Sequence, residues 1–550
     1  MDVAAKVKTF EKIFIVNFEA GLWVHSSMES RLASDLSGRG FEVAFLSCDG
    51  LFDGKCAVRS ARKSSSLRVE KKLDCRDCKF TSKMMASSLN GAIQQTEWLG
   101  SRVSELDRDH ARRIAQSAME LVEPLDLEID GVRLASIASY EVILNHKILD
   151  GNFTGEAASE LEDAIRNCYL TGLAVRRLFS ENKGPLTVVV RNPLYATHQI
   201  VALEAARAGH RVLYLNGSYN ISETYSHGEI WDWRKFGIVN PARDEFKSTK
   251  ELFLVPARRV ERIENHSRSL RAATSHRVYS APETRSLTAV RSKLNIEPGS
   301  KTVLLALNST DEVIAARSNG SFSEERYPGR VFESQIHWVR ETISWARVRP
   351  ETNLIIRVHP REFPNSRSNV RSEMAKVWED LLSELPANVK LNHPDQNISV
   401  YDLLSTVSVV STGWSSVGLE AALQGLPVVL YDSGLPGFPA ELGRSGLTPS
   451  DYFQNLTAAL EEKHDKERTR QRSLFWLDLQ MNLGTFKVGG RLLESQRYKF
   501  PRWLTLVFEG VDRYFYLVYR PLDLVLGRAR KSETEKILPL MTGEKHSLFN

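Results

Sequence analysis

The stretch that decides the fold runs from Val407 to Leu430, with the sequence VSVVSTGWSSVGLEAALQGLPVVL. It opens with a short apolar run, passes through a turn of small hydroxyl residues into a helical pattern, and closes with a second apolar run. The order strand, loop, helix, strand is the parallel βαβ unit. This stretch therefore predicts an α/β protein with a parallel sheet.

Three earlier stretches repeat the pattern. KIFIVNF at 12–18 leads through a helical stretch to FEVAFL at 41–46, LTVVVRN at 186–192 leads to RVLYLNG at 211–217, and TVLLALN at 302–308 leads to NLIIRVH at 353–359. Repeated βαβ units predict a doubly wound α/β architecture.

We predict two doubly wound, Rossmann-like domains that face a cleft. The first covers 1–290 and contains a mostly helical insertion at about 84–180, the second covers 291–460, and a basic, aromatic, helical segment follows at 461–550. The boundary is placed in the Arg-rich, polar stretch 256–300, interpreted as a solvated linker, because Pro298 and Gly299 restart the strands.

Composition narrows the class of protein. The 550 residues include 73 Lys and Arg against 68 Asp and Glu, a net charge of +5, and 42% are hydrophobic, which excludes collagen-like, low-complexity and mostly disordered chains. No apolar run reaches the roughly 18–20 residues of a membrane-spanning helix, and Glu11 interrupts any signal-peptide pattern. We expect a cytoplasmic protein.

Ligands of doubly wound sheets bind outside the carboxyl ends of the strands, so the residues after each strand are the candidates. After the strand at 407–411, small residues lead directly into a helix, an arrangement that holds phosphate. The candidates there are Ser411, Thr412, Gly413, Ser415 and Ser416, with Glu420 a turn later as an acceptor from ribose hydroxyls. An ordinary helix N-cap is the alternative.

Two more loops join this prediction. His359 lies between Arg357 and Arg361 and is fixed by Pro360, so its imidazole could donate to a phosphate while the arginines add positive charge. Asn308, Ser309 and Thr310 follow another strand and could line the same cleft, although a plain polar loop is equally consistent.

The loop after the first strand offers Glu19 and His25, and either side chain could serve as general base for a hydroxyl acceptor. His25 could equally be a helix-start residue without a catalytic role.

Together, HPRE at 359–362 and STGWSSVGLEAALQGLPVV at 411–429 resemble the C-terminal nucleotide-binding domain of GT-B glycosyltransferases. The similarity is closest to the bacterial capsule and surface-polysaccharide enzymes of the Kdo-transferase and sialyltransferase-like group. It covers about residues 300–432. The resemblance implies that His359, Pro360, Ser415 and Ser416 hold the phosphate of a nucleotide sugar, often a CMP-sugar, and that the acceptor is a lipid-linked or polysaccharide chain.

Retaining GT-B enzymes of the glycogen-synthase type carry two glutamates eight positions apart at this helix. In this chain Glu420 occupies the second of these two positions, and Thr412 occupies the first. Because the pair of glutamates is missing, we expect inverting transfer, with no metal or other cofactor required for catalysis. Two alternatives on the same fold are a nucleotide-sugar 2-epimerase and a CDP-glycerol-type glycerophosphotransferase. Nucleic-acid binding is disfavoured because arginine is scattered and no RNA-binding motif is present.

Four of the five cysteines, Cys48, Cys56, Cys75 and Cys78, fall within one stretch. The Cys75-x-x-Cys78 spacing matches half of a structural zinc site, while the wider separation of Cys48 and Cys56 does not match the usual second half. Structural zinc, free thiols and a redox pair all remain open.

The chain's positive charge is concentrated near its end. Residues 463–531 hold 15 Lys and Arg against seven Asp and Glu, and 497–531 is rich in Trp, Tyr and Phe. This composition suits an anionic membrane surface, which predicts peripheral binding at the inner face of the cytoplasmic membrane. The alternative is a segment that returns to pack on the first domain.

Overall fold

The computed structural model describes residues 12–52, 54–61, 68–89, 96–182, 184–249, 254–275, 278–322, 328–365, 367–434, 437–488 and 532–549. Two compact units divide the chain. The first comprises 1–142, 153–241 and 483–550, and the second comprises 143–152 and 242–482. Each unit contains one sheet with helices packed against it, which confirms the predicted α/β class with two doubly wound sheets.

The strands of the first unit are β1 (Ile13–Val16), β2 (Val43–Ser47), β3 (Thr96–Trp98), β4 (Thr187–Arg191), β5 (Arg211–Gly217), β6 (His227–Asp232) and, later in the chain, β13 (Phe486–Lys487). Their order in the sheet is β13-β6-β5-β4-β1-β2-β3. Strands β1 to β5 are parallel, whereas β6 and β13 pair antiparallel at one edge. The sequence did not predict the antiparallel edge. It also did not predict the edge strand β3, which lies within the mostly helical stretch 84–180.

Residues of β1 alternate between the two faces of this sheet. Ile13 and Ile15 join one buried apolar cluster, while Phe14 and Val16 join another. A strand that is buried on both faces must be apolar at every position, and this explains why a continuous apolar run marks it in the sequence.

The helices of the first unit are α1 (Trp23–Gly38), α2 (Ala57–Ala61), α3 (Arg68–Ala86), α4 (Glu105–Met119), α5 (Leu134–His146), α6 (Gly155–Glu181), α7 (Ala196–Arg207) and α8 (Trp233–Phe236). The division between the units falls within α5, whose last residues group with the second unit. No helix in the described ranges is both long and apolar enough to cross a membrane.

The second unit has a six-stranded parallel sheet in the order β12-β11-β10-β7-β8-β9. Its strands are β7 (Lys301–Ala306), β8 (Thr352–Arg357), β9 (Val389–Asn392), β10 (Val409–Thr412), β11 (Val428–Leu430) and β12 (Arg444–Ser445). Its helices are α9 (Ala242–Ser248), α10 (Ala257–Arg271), α11 (Leu287–Leu294), α12 (Thr310–Ser318), α13 (Gln335–Arg347), α14 (Glu373–Leu381), α15 (Val400–Leu404), α16 (Val417–Leu423), α17 (Pro449–Glu461) and α18 (Lys466–Asp478).

The unit boundaries differ from the predicted ones at 290 and 460. The Arg-rich stretch is not a linker, because it forms α10, which packs on α18 within the second unit. Arg259 on α10 lies 3.1 Å from the buried carboxylate of Asp478 on α18. Because Arg259 pairs with a buried carboxylate, this stretch belongs to a folded core, although its composition alone is typical of a solvated segment.

The described end of the chain belongs to the first unit. β13 pairs with β6, and the short helix α19 (Leu538–Met541) contributes Leu540 and Met541 to a buried cluster of that unit. The aromatic segment 497–531, for which membrane binding is predicted, lies outside the described residues.

Candidate functional site

Each sheet has one place where its strand order reverses. In the first unit β1 and β4 are neighbours, and their connections leave toward opposite sides of the sheet. The corresponding pair in the second unit is β7 and β10. Ligands of doubly wound sheets bind at the carboxyl ends of such strand pairs. Ligands are therefore expected at the loops after β1 and β4 in the first unit and after β7 and β10 in the second.

Glu19 and His25 meet at the first of these positions. Glu19 lies in the loop after β1, His25 lies in the first turn of α1, and the imidazole Nδ1 donates to a Glu19 carboxylate oxygen. Burial would raise the pKa of Glu19, but the hydrogen bond and charge of His25 outweigh it and lower the pKa to about 2. The ionised carboxylate holds the Nδ1 proton of His25, so Nε2 is the ring nitrogen through which this imidazole could exchange a proton with a ligand.

Three residues that sequence reasoning missed lie around this pair. Arg191 ends β4, Glu29 lies on α1, and His198 lies on α7. Arg191 and Glu29 are 3.9 Å apart, too far for a hydrogen bond, so burial dominates and raises the pKa of Glu29 to about 8. The signal available in the sequence was the position of Arg191 at the end of the LTVVVR run.

His198 is a neutral, buried imidazole. It is 5% exposed and stacks on Phe18 with ring centroids 5.5 Å apart. Burial lowers its pKa to about 4, and its Nδ1 has no hydrogen-bond partner among the described residues. The site in the first unit thus combines an ionised carboxylate, a partly exposed imidazole and a buried neutral imidazole.

In the second unit, the two hydroxyls at the end of β10 are committed to the core. Ser411 Oγ donates to the Val429 carbonyl at 3.0 Å and lies 2.9 Å from Tyr452 Oη, while Thr412 Oγ1 donates to the Ala306 carbonyl at 2.8 Å. Both residues are fully buried. This corrects the sequence prediction that their side chains bind phosphate, because the strand extends through Thr412 and buries them.

The turn after β10 begins at Gly413, which packs against the ring of Tyr431. A Cβ at position 413 would lie 2.6 Å from that ring, so glycine is required for this close approach. Ser415 and Ser416 follow and are partly exposed and exposed, respectively. Ser415 Oγ accepts from the amide of Val417 at 3.3 Å, whereas Ser416, the N-cap residue of α16, makes no side-chain capping hydrogen bond.

Glu420 lies on α16, one turn after this loop. It accepts a hydrogen bond of 2.9 Å from Ser416 Oγ, and burial raises its pKa despite that bond. The predicted ribose contact of Glu420 remains a prediction.

The loop after β7 is largely tied to its own unit. Asn308 Nδ2 donates to Tyr431 Oη at 2.6 Å, Ser309 Oγ donates to Asp311 at 2.5 Å, and the Thr310 amide donates to Glu362 at 3.0 Å. Asn308 and Ser309 are buried. Asn308 Oδ1, however, has no hydrogen-bond partner among the described residues, and contact of this loop with a ligand remains a prediction.

His359 follows β8, the strand next to β7, and is held in one tautomer. Its Nδ1 accepts the Arg361 amide proton at 3.2 Å, which places the ring proton on Nε2. Burial and the nearby charges of Arg361 and Arg357 lower its pKa to about 3. His359 is therefore a neutral Nε2–H donor at the carboxyl end of the sheet.

The flanking arginines are engaged inside the unit. Arg361 Nη2 lies 2.7 Å from Asp311 and donates to the Leu144 carbonyl at 2.8 Å. Arg357 donates to Asn392 at 2.5 Å and to the Ile398 carbonyl at 3.0 Å. Both guanidinium groups are held by partners within the unit, and the positive charge predicted for them lies next to His359.

Lys147, which sequence reasoning missed, adds a buried ammonium to this group. It is 1% exposed, donates to the Val370 carbonyl, and its charge is felt at His359. Burial lowers its pKa, and the charge of Arg361 lowers it further. Lys147 thus joins the arginines as a positive charge near His359, although Arg361 is paired with Asp311.

All four predicted cysteines lie around one small cavity of the first unit. Within the described ranges, no three His, Cys, Asp or Glu side chains are grouped closely enough to hold a metal ion as they stand. Burial raises the pKa of Cys48 to about 12.

No protein-family model matches the chain, and no curated protein matches it. Among solved structures, it is similar to the beta Kdo 2,4 transferase of Thermosulfurimonas dismutans KpsC, with 14% identity over 55% of this chain and 80% of the other and a TM-score of 0.31.

It is also similar to the beta Kdo 2,7 transferase of the same KpsC, with 14% identity, coverage of 68% and 90% and a TM-score of 0.30. For the UDP-GlcNAc 2-epimerase of Methanocaldococcus jannaschii in complex with UDP-GlcNAc and UDP, the identity is 10%, the coverage 84% and 98%, and the TM-score 0.27. Scores this low carry no weight for function, which has to be argued from the residues of this chain.

Proposed function

We propose that this protein is an inverting glycosyltransferase that moves a sugar from a nucleotide-sugar donor, with a CMP-sugar as the first candidate, to a lipid-linked or polysaccharide acceptor. The observation that carries the proposal is the Glu19–His25 pair at the strand-order reversal of the first sheet. A carboxylate that orients an imidazole is the usual way in which proteins make a general base for a hydroxyl group.

In the proposed step, His25 Nε2 takes the proton of the acceptor hydroxyl as its oxygen attacks the anomeric carbon. The bond between that carbon and the donor phosphate breaks, and the nucleotide leaves with the electron pair. The ionised Glu19 stabilises the imidazolium that forms. A single displacement of this kind inverts the anomeric configuration.

The second unit would bind the donor. Its support is the neutral Nε2–H of His359 among positive charges, together with Ser415 and Ser416 in the loop at the strand-order reversal. Such groups stabilise a leaving phosphate without a metal, and we propose that catalysis requires no cofactor.

The acceptor is proposed to be presented at an anionic membrane surface on the cytoplasmic side. Support comes from the composition of 463–531 alone, with 15 Lys and Arg against seven Asp and Glu. Flotation of the full-length protein with anionic and with neutral vesicles tests this point. Binding that does not weaken when Arg513 and Arg520 are changed to Glu contradicts it.

The function is tested by incubating the purified protein with CMP-, CDP-, UDP- and GDP-sugars and a mixed lipid-linked acceptor fraction. We expect one donor to release its nucleotide only in the presence of acceptor, and the NMR spectrum of the product to show an inverted anomeric centre. Conversion of UDP-GlcNAc to its 2-epimer without acceptor would instead identify a 2-epimerase. Consumption of CDP-glycerol would identify a glycerophosphotransferase.

A further inference from the structure

Arg191, the last residue of β4, carries a guanidinium group that is largely buried and incompletely paired. Its side chain is 14% exposed, and its Nη1 is buried and donates to no described residue. Because removing a charged donor from water is costly unless it finds a partner, arginines in such positions are normally hydrogen-bonded. A buried guanidinium nitrogen without a partner in its own unit is therefore a sign of a negatively charged ligand.

One carboxyl group lies near Arg191 but does not satisfy it. Glu29 on α1 approaches Arg191 Nη1 only to 3.9 Å, which is beyond hydrogen-bonding distance. Burial raises the pKa of Glu29 to about 8, so at neutral pH this group is mostly protonated and carries little charge to balance Arg191. Glu19 is ionised, but it already accepts a hydrogen bond from His25. Arg191 is therefore left with positive charge to offer a ligand.

Arg191 lies beside the candidate general base. β4 pairs in parallel with β1, so the ends of both strands meet at the same edge of the sheet, and the loop after β1 carries Glu19. The charge of Arg191 helps to lower the pKa of both Glu19 and His198, so the three side chains share one electrostatic environment. An anion bound to Arg191 would thus lie close to the Glu19–His25 pair.

The turn after β4 adds two unpaired polar atoms. Asn192 has a φ of 41°, and its backbone is fixed by hydrogen bonds from its amide to Leu215 at 2.9 Å and from the Tyr195 amide to its carbonyl at 3.2 Å. The Asn192 Oδ1 and the His198 Nδ1 are both buried and have no partner among the described residues. Left-handed backbone at a residue other than glycine and unpaired polar atoms are typical of ligand sites. A cation next to such atoms suits a molecule that carries both an anionic group and hydroxyl groups.

Given the proposed transferase function, on which this inference rests, we propose that Arg191 binds an anionic group of the acceptor, either a carboxylate or a phosphate. A guanidinium offers two parallel N–H donors to either group and so fixes its orientation. Holding the acceptor by this charge would align its attacking hydroxyl with His25 Nε2. The acceptor class is then an acidic or phosphorylated sugar rather than a neutral one.

The first experiment measures binding without turnover. Thermal shifts of the full-length protein are recorded with glucuronate, glucose 6-phosphate and glucose at equal ionic strength. We expect glucuronate or glucose 6-phosphate, but not glucose, to raise the Tm of the wild type, and the sugar that does so identifies the anion. Equal shifts with all three sugars, or no shift with any, overturn the proposal on the wild type alone, even if a variant fails to fold.

Variants then assign the effect to Arg191. Arg191→Gln should lose the shift, and Arg191→Lys, which keeps the charge but not the paired donors, should retain part of it. The matched control is Arg176→Gln on α6, because Arg176 already donates to Asp130 at 2.9 Å, and it should keep the full shift. An undiminished shift in Arg191→Gln contradicts the proposal. Loss of the shift with CMP instead of the shift with the sugar would assign Arg191 to the donor and contradict it as well.

The second experiment uses turnover with an acidic acceptor. Arg191→Gln should raise the acceptor KM by about 10–100-fold, while kcat and the donor KM change by less than about threefold. Sugar transfer with the same acceptor KM in the wild type and in Arg191→Gln would leave the transferase function standing and overturn this inference. Binding of glucuronate or glucose 6-phosphate through Arg191 without any transfer would contradict the transferase function and still support an anion site at Arg191.

Discussion

Glu19 accepts a hydrogen bond from the imidazole Nδ1 of His25, directly beyond the strand that begins the first sheet. The two residues are six positions apart, and they meet because β1 ends at Val16 and α1 begins at Trp23. This short connection holds a carboxylate and an imidazole within hydrogen-bonding distance of each other at the carboxyl end of the sheet, where ligands of such sheets bind.

The first prediction concerns the charge of Glu19. Glu19→Gln removes the carboxylate that fixes the tautomer of His25, so we expect the transfer rate to fall by roughly 10²–10⁴, with little change in donor KM. Glu29→Gln is the matched control. Because burial raises the pKa of Glu29 to about 8, its side chain is already neutral at pH 7, and a neutral amide of the same shape should be tolerated.

Initial rates of nucleotide release by the two variants, measured under the same conditions, test this prediction. Equal rates for Glu19→Gln and Glu29→Gln would remove the Glu19–His25 pair from the mechanism.

The second prediction separates two serines that are four residues apart. Ser411→Ala removes buried hydrogen bonds to Val429 and Tyr452, so it should lower the free energy of unfolding by about 1–3 kcal/mol and leave nucleotide affinity nearly unchanged. Ser415→Ala should do the opposite, with weaker nucleotide binding and a stability change within about 0.5 kcal/mol. Urea titration and calorimetric binding on both variants test the pair, and a loss of affinity confined to Ser411→Ala would contradict the assignment.

These two serines also show where sequence reasoning succeeds and where it ends. The buried parallel strands were predictable because burial on both faces favours a continuous apolar run, as in β1. Strands β3 and β9 carry polar residues at a sheet edge and give no such run. A hydroxyl at a strand end can point into the core or out of it, and the sequence does not distinguish Ser411 from Ser415.

The site in the first unit was predictable only in part. Glu19 and His25 stand close together in the chain and follow an obvious strand. Arg191 and His198 come from residues about 170 positions later, and only the pairing of β1 with β4 brings them to the same place.

The third prediction tests the buried pair in the second unit. Asp311 is fully buried and lies 2.7 Å from Arg361, so Asp311→Ala removes the nearest carboxylate from a partly buried guanidinium and leaves it Glu312 at 3.8 Å. We expect a loss of about 3–5 kcal/mol in the free energy of unfolding. Glu462→Ala, which breaks the exposed pair of 2.8 Å with Arg444, should cost about 0–1 kcal/mol. Similar urea midpoints for both variants would show that the Asp311 contact has no structural importance.

The fourth prediction concerns acid sensitivity. Burial lowers the pKa of His198 to about 4, below the usual value of 6.5. Between these two pH values the unfolded chain takes up a proton that the folded protein excludes, so stability falls as the pH is lowered through this window. His198→Phe keeps an aromatic ring against Phe18 and should reduce the slope by up to about 1.4 kcal/mol per pH unit. Unfolding curves of the wild type and of His198→Phe at pH 6.5, 5.5 and 4.5 give the pH dependence of the free energy of unfolding for each protein. Equal slopes for the two proteins would show that the folded state does not exclude a proton from His198.

The most direct test of nucleotide binding by the second unit is a thermal-shift panel of CMP, CDP, UDP and GDP with the wild type, Glu19→Gln and His359→Ala. At a concentration 100 times Kd, a ligand stabilises the folded state by about 2.7 kcal/mol, which corresponds to a rise of several degrees in Tm. We predict that one nucleotide raises the Tm of the wild type and of Glu19→Gln equally, and that His359→Ala loses the rise. No shift with any nucleotide, or an undiminished shift in His359→Ala, would contradict the account.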